Sequence, residues 1–316
     1  MRRLVIISLL LGTACGGGNG QPSSEVLVVA TTSVLGDVVA NLVGNDARVE
    51  VIMPVGADPH DFEPSAQQAE LLRQADLVVA NGLGLEEGLI DLIEAAEQEG
   101  ANILELAPLL DPLPFAGHGE DEHQGEAEGE SESEEDHGLG DPHFWQDPVR
   151  MAQAVEIIAS RLAELETDLA PSEWSERAAT YGTEILAAHA ANEALLAAIP
   201  VDQRKLVTNH EAFGYFADRY GFEIIGVVIP GGSTLGEPSA QDLAHLVEEM
   251  RHEGVRAIFA ENTNPAALAD AVAAELGEAV TVVELYSDSL AEPGSPADTY
   301  LGLIEENARL VAEALT

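Results

Sequence analysis

Lysine is nearly missing from this chain of 316 residues: Lys205 is the only one, and with the arginines it makes 13 basic residues against 57 acidic ones. The formal charge is −44 with the nine histidines counted as neutral. Phosphate binding needs clustered Lys and Arg, so a nucleic-acid partner and electrostatic adhesion to anionic lipid are excluded. Cysteine is as scarce. Cys15 stands alone, which permits neither an intramolecular disulfide nor a multi-cysteine zinc or iron–sulfur site. Also lacking is any apolar run of the ~20 residues that a bilayer-spanning helix requires. Any metal chemistry must therefore rest on His, Asp and Glu. What is present suits a folded protein: 46% hydrophobic and 22% charged residues, and a length that fits roughly two domains.

The first residues read as a targeting segment. Arg2 and Arg3 precede the apolar stretch Leu4 to Leu11, and small residues lead to Cys15. The cysteine's place resembles a bacterial lipoprotein signal, in which that residue is lipidated after cleavage, although Gly12 stands where leucine is usual. Residues 1–24 are expected to be this signal and a flexible glycine-rich tether, with the protein extracytoplasmic and held to the membrane only through Cys15.

Beyond the tether, β-rich runs alternate with amphipathic stretches. Strands are expected at Val26–Thr31, Val49–Met53, Asp76–Asn81 and Asn102–Leu106, with helices at Leu35–Val43, Ser65–Arg73 and Leu85–Glu97. Two helices follow, Pro148 to about Glu166 and Pro171–Ala198; Pro suits a first helical turn. Alternation then resumes, with strands at Lys205–Thr208, Glu223–Ile229, Val255–Ala260 and Val280–Leu285. The helices between and after them are Ala212–Tyr220, Ser239–His252, Pro265–Leu276 and Ala297–Leu315. This pattern predicts two parallel-sheet α/β lobes, 25–170 and 200–316, linked by a long helix over 171–199, with a ligand cleft between them. From His118 to Asp141 the chain carries eleven acidic residues, three histidines (His118, His123, His137) and no basic residue. Self-repulsion predicts a disordered loop there. It reads either as a weak gatherer of transition metals or as a solvated insertion.

Three histidines outside that loop sit at the ends of α/β elements, where ligands commonly bind. His60 lies in Gly56-Ala57-Asp58-Pro59-His60-Asp61-Phe62-Glu63-Pro64, and His143 in Asp141-Pro142-His143-Phe144-Trp145-Gln146-Asp147-Pro148. His210 lies in Thr208-Asn209-His210-Glu211-Ala212-Phe213. Proline ahead of two of them restricts the backbone and lowers the ordering cost of holding a ligand. His189, His245 and His252 fall within helices and read as packing or surface residues. Three imidazoles and a carboxylate suit four-coordinate zinc, but spacing alone does not bring the three loops together.

These motifs, with Asn209-His210-Glu211-Ala212-Phe213-Gly214-Tyr215-Phe216, Glu237-Pro238-Ser239-Ala240 and Phe259-Ala260-Glu261, are those of a known family. The chain resembles the zinc/manganese-binding solute-binding proteins of bacterial ABC metal importers, from Val26 to the final helix. The resemblance implies one metal ion in the cleft, held by His60 and His143 from the first lobe and His210 from the second. A fourth, acidic ligand is implied near the last strand. Asp288 fits that place, and Glu261 is the alternative at a neighbouring strand end. Manganese binders of this family typically carry Glu at the position of His210, so the implied cargo is Zn²⁺ ahead of Mn²⁺. The implied partner is an ABC permease, and the chain is expected to be a monomer. Glu63 and Glu211 are candidates to orient the imidazoles.

An enzyme is not expected. His210-Glu211 begins like a His-Glu-x-x-His zinc site, but position 214 is Gly214. No Gly-x-Ser-x-Gly turn occurs, and Gly231-Gly232-Ser233 reads as a connection. A metal-binding adhesin or periplasmic metal buffer on the same fold is the remaining alternative. The acidity left outside the loop, −33, fits a protein working in a salty milieu.

Overall fold

The computed structural model describes residues 26–115, 140–165, 167, 169–277 and 280–316. The targeting segment with Cys15 and the stretch holding His118, His123 and His137 lie outside them.

Two four-stranded parallel sheets organise the chain. The first contains β1 (Leu27–Ala30), β2 (Arg48–Val51), β3 (Leu77–Ala80) and β4 (Ile103–Glu105), in the order β2-β1-β3-β4. The second contains β5 (Lys205–Thr208), β6 (Glu223–Val227), β7 (Ala257–Glu261) and β8 (Thr281–Leu285), in the order β6-β5-β7-β8. The topology is thus repeated. Both central strands of the first sheet read Leu-Val-Val-Ala, an unbroken apolar run, because helices cover both faces of a parallel sheet.

Around the first sheet lie α1 (Ser33–Val43), α2 (Ala66–Gln74), α3 (Ile90–Gln98) and α4 (Pro148–Leu162). One apolar cluster joins the sheet to α1 and α4; another joins its opposite face to α2 and α3. The second sheet is covered by α6 (Gly214–Tyr220), α7 (Ala240–Glu253), α8 (Ala267–Leu276) and α9 (Tyr300–Leu315). Between the sheets in sequence runs α5 (Pro171–Leu196), whose 26 residues span about 39 Å. Its Trp174, Ala178, Tyr181 and Ile185 pack into the first lobe's core, and Leu196 into the second's. Helix α9 is shared in the same way: Tyr300, Leu303 and Ile304 join the first core, while Ala308, Val311 and Leu315 join the second. Two helices, not one, therefore tie the lobes together.

Side-chain caps set several boundaries. Ser65 and Ser239 each form a capping box with the residue three positions on, opening α2 and α7. Thr299 accepts from the Gly302 N–H, so α9 begins at Tyr300, after the Ala297 start that the pattern predicts. Helix α6 begins at Gly214, two residues later than predicted, because Ala212 and Phe213 belong to the loop after β5. Helix α3 starts at Ile90 behind a 3₁₀ turn, Glu87–Leu89, where the pattern predicts helix from Leu85. In each sheet the strand order reverses between its first and third strands in sequence, and the crevice beyond the carboxyl ends of strands at such a switch point is the usual ligand site. None of the described helices is long and apolar enough to cross a membrane.

Candidate metal centre

The loop after β2 carries His60, the segment entering α4 carries His143, and the loop after β5 carries His210. All three are buried, His143 and His210 completely. They meet. One nitrogen from each ring lies within 4.8 Å of those of the other two, and ring centroids are 5.1–5.7 Å apart. Asp288, in the loop after β8, joins them: its Oδ1 lies 3.9 Å from His143 Nε2 and its Oδ2 3.7 Å from His210 Nε2. The first lobe thus supplies two of the four groups and the second lobe supplies the other two.

Each ring is held from behind by a carboxylate. The Nδ1–H of His60 donates to Glu87 Oε1 at 3.1 Å, that of His143 to Asp141 Oδ1 at 2.7 Å, and that of His210 to Glu261 Oε1 at 2.7 Å. Because Nδ1 is engaged, each Nε2 is left as the free donor atom. His60 Nε2 and Asp288 Oδ1 are buried without a hydrogen-bond partner, a costly state unless a ligand satisfies them. The two Asp-Pro-His segments share a local device. Asp58 Oδ1 accepts the His60 backbone N–H at 3.0 Å, and Asp141 Oδ1 accepts that of His143 at 2.9 Å. Glu261 Oε1 does the same for the His210 backbone at 3.1 Å, across 51 residues of sequence.

Burial and mutual charge shape the titration of these groups. Burial alone would depress His210, but the Glu261 and Asp288 carboxylates outweigh it and push it up to about 9. His143 is driven well below the ordinary imidazole value by burial and by the neighbouring imidazoles. Burial pushes Asp288 up to about 6 against the attraction of His210, and Asp141 up to about 8. At Glu87 burial would raise the value, yet hydrogen bonds from His60 and Ser233 hold it below the usual carboxylate range.

The orienting carboxylates differ from those suggested by sequence proximity. Glu63 is exposed and Glu211, though buried, has an unpartnered Oε2; neither bonds an imidazole. Glu87 and Asp141 take that role beside Glu261. An Asp two residues before the His is the one local sign of it, and it marks Asp141. The remaining described histidines lie on helices: His189 faces the Tyr220 hydroxyl at 3.2 Å, and His245 and His252 are exposed on α7.

Three imidazoles and a carboxylate, buried and pre-oriented, form a donor set that could hold a divalent transition metal. The zinc-binding protein TroA of Treponema pallidum is 30% identical over 307 residues, covering 96% of this chain and 92% of its own. Its solved structure superposes with a TM-score of 0.77, covering 92% of this chain and 99% of that one at 27% identity. The manganese-binding lipoprotein MntA of Halalkalibacterium halodurans is 27% identical over 316 residues, 99% of this chain and 97% of its own. The family model described as zinc-uptake complex component A, periplasmic, matches residues 28–314. With both lobes inside that match, the chain belongs to this family, the extracytoplasmic metal-binding proteins of ABC importers.

Proposed function

We propose that this protein captures Zn²⁺ outside the cytoplasm through His60, His143, His210 and Asp288 and delivers it to an import permease. The observation that carries the reading is the convergence of three imidazoles, each held at Nδ1 by a carboxylate, on one buried point beside Asp288. Three imidazoles and one carboxylate fit four-coordinate zinc, whereas Mn²⁺ prefers more oxygen donors. Glu261 is assigned the orienting role, because its Oε1 is committed to both the backbone and the ring of His210. Four protein donors leave no open position for an activated water, so the role is capture and not catalysis. Since the donors come from both lobes, binding draws the lobes into one arrangement.

Manganese is the second reading, favoured by the name of the MntA relative and by the unpartnered Oε2 of Glu261, an extra oxygen near the site. A competition titration of purified protein decides between them. One Zn²⁺ per chain, bound more tightly than Mn²⁺ and lost on His210→Ala, is the expected result; tighter Mn²⁺ binding overturns the zinc assignment. The rest of the reading is a monomer anchored through lipidated Cys15. A Cys15→Ser protein that still fractionates with membranes overturns the anchor. An adhesin or metal buffer replaces the importer role if no permease and ATPase genes adjoin its own.

A further inference from the structure

His60 differs from the other two histidines in how it is held. The carboxylates behind His143 and His210 belong to the same lobe as the ring that each one orients. Around His60, by contrast, the carboxylate under the backbone N–H, Asp58, is also gripped from the opposite lobe. Asp58 accepts the His60 backbone N–H through Oδ1, while its Oδ2 accepts the Thr234 hydroxyl at 2.6 Å and the Asn264 side-chain N–H at 2.9 Å. Glu87, the carboxylate on His60 Nδ1, lies in the first lobe with His60 itself. Ser233 and Thr234 lie in the Gly231-Gly232-Ser233-Thr234 loop between β6 and α7, and Asn264 follows β7. That loop is built to lie close. Gly231 takes a φ of +105°, and a methyl at Gly232 would overlap the Phe115 ring of the first lobe.

We propose that Thr234 and Asn264 are positioning residues which, by gripping Asp58 across the lobe interface, hold His60 in its ligand place and make it the first ligand to let go when the lobes part. The inference rests on reading the centre as a metal-capture site. Parting the lobes gives the two donors on Asp58 Oδ2 to water and leaves the turn that fixes the His60 backbone without its anchor. The Asp141 and Glu261 carboxylates bond only His143 and His210, within one lobe each, so these two rings have no support from the opposite lobe to lose. Metal dissociation thereby becomes tied to lobe separation at one histidine. The glycine-rich loop is the grip.

The test measures Zn²⁺ release from the full chain into excess chelator by stopped flow, after an equilibrium titration has established loading. Thr234→Val and Asn264→Leu each remove one hydrogen bond to a carboxylate, and release about tenfold faster is expected for each. Thr234→Ser retains the hydroxyl and should release at the wild-type rate, as should Leu235→Ala, a change to an exposed neighbour in the same loop. Wild-type release rates in both Thr234→Val and Asn264→Leu overturn the proposal. So does equal acceleration in Leu235→Ala, which would mean that any loosening of the loop suffices. Wild-type protein that takes up neither Zn²⁺ nor Mn²⁺ overturns the capture reading itself, and the grip with it.

Discussion

His143 and His210 come from different lobes, yet their Nε2 atoms lie 3.3 Å apart. Both Nδ1 atoms already donate to carboxylates, so two lone pairs would face each other unless a proton or a cation lay between them. His210, pushed up to about 9, supplies that proton, and His143, driven low by burial, accepts it. A metal must displace it. The sign follows: the ligand form is the neutral ring, so a raised value makes protons compete from about pH 9 downward. Affinity is expected to fall about tenfold per pH unit below that point and more steeply below about 6, where Asp288 also takes a proton. Calorimetry in buffers of different ionisation enthalpy should register about one proton released per metal near neutral pH. An affinity unchanged between about pH 6.5 and 8.5 would contradict this account.

Asp288 and Glu261 both lie beside His210; with Asp288 as the proposed ligand and Glu261 as the proposed orienting group, their variants should separate. Glu261→Gln weakens the hold on the His210 ring without removing a donor from the metal. A loss of about tenfold to a hundredfold in affinity is expected, with the Co²⁺ absorption spectrum keeping its shape. Asp288→Ala removes a donor, so the spectrum should change along with the affinity. The opposite pattern would make Glu261 the ligand.

How much of this was legible in advance depends on range along the chain. The parallel strands were readable because Leu27–Ala30 and Leu77–Ala80 are buried on both faces and so apolar throughout. His60, His143 and His210 were readable because each lies in a loop at the end of an α/β element, two of them behind a proline. Of the groups behind the rings, only Asp141 carries a local sign, two residues before its His. Glu87 reaches His60 across 27 residues only because a 3₁₀ turn follows β3, and Glu261 reaches His210 across 51. Proximity in sequence pointed instead to Glu63, which the loop leaves in solvent. The sharing of α9 between lobes was equally hidden, since its apolar face has one helical period whichever core it meets.

Behind the metal centre, Asp147 is fully buried and caps α4. Arg219 of α6 grips it with both ends of the guanidinium, Nε to Oδ1 at 2.8 Å and Nη2 to Oδ2 at 2.6 Å, and Arg150 adds a bond at 2.8 Å. This ion pair spans the lobes. Arg219→Ala leaves a buried carboxylate with half its partners, and a loss of about 1–3 kcal/mol in unfolding free energy is expected, with one metal still bound per chain. Urea denaturation that gives an unchanged midpoint would show that Arg150 alone suffices.

Gly88 couples packing to the metal site more directly. It sits in the 3₁₀ turn next to Glu87, and a methyl there would overlap the backbone carbonyl oxygen of Phe62, two residues past His60. A backbone oxygen cannot swing aside as a side chain can, so Gly88→Ala must push the turn and the His60 loop apart. Those are the two segments that bring Glu87 to His60 Nδ1. The expected outcome is a loss of stability of about 1–3 kcal/mol together with metal affinity weakened by about tenfold or more. Gly182→Ala is the matched control. Gly182 lies within α5 with open space around it, so the methyl should stabilise the helix by about 0.5–1 kcal/mol and leave metal binding alone. If Gly88→Ala costs stability but binds Zn²⁺ as tightly as the wild type, then Glu87 does not need its observed position to hold His60, and the carboxylate behind that ring is dispensable.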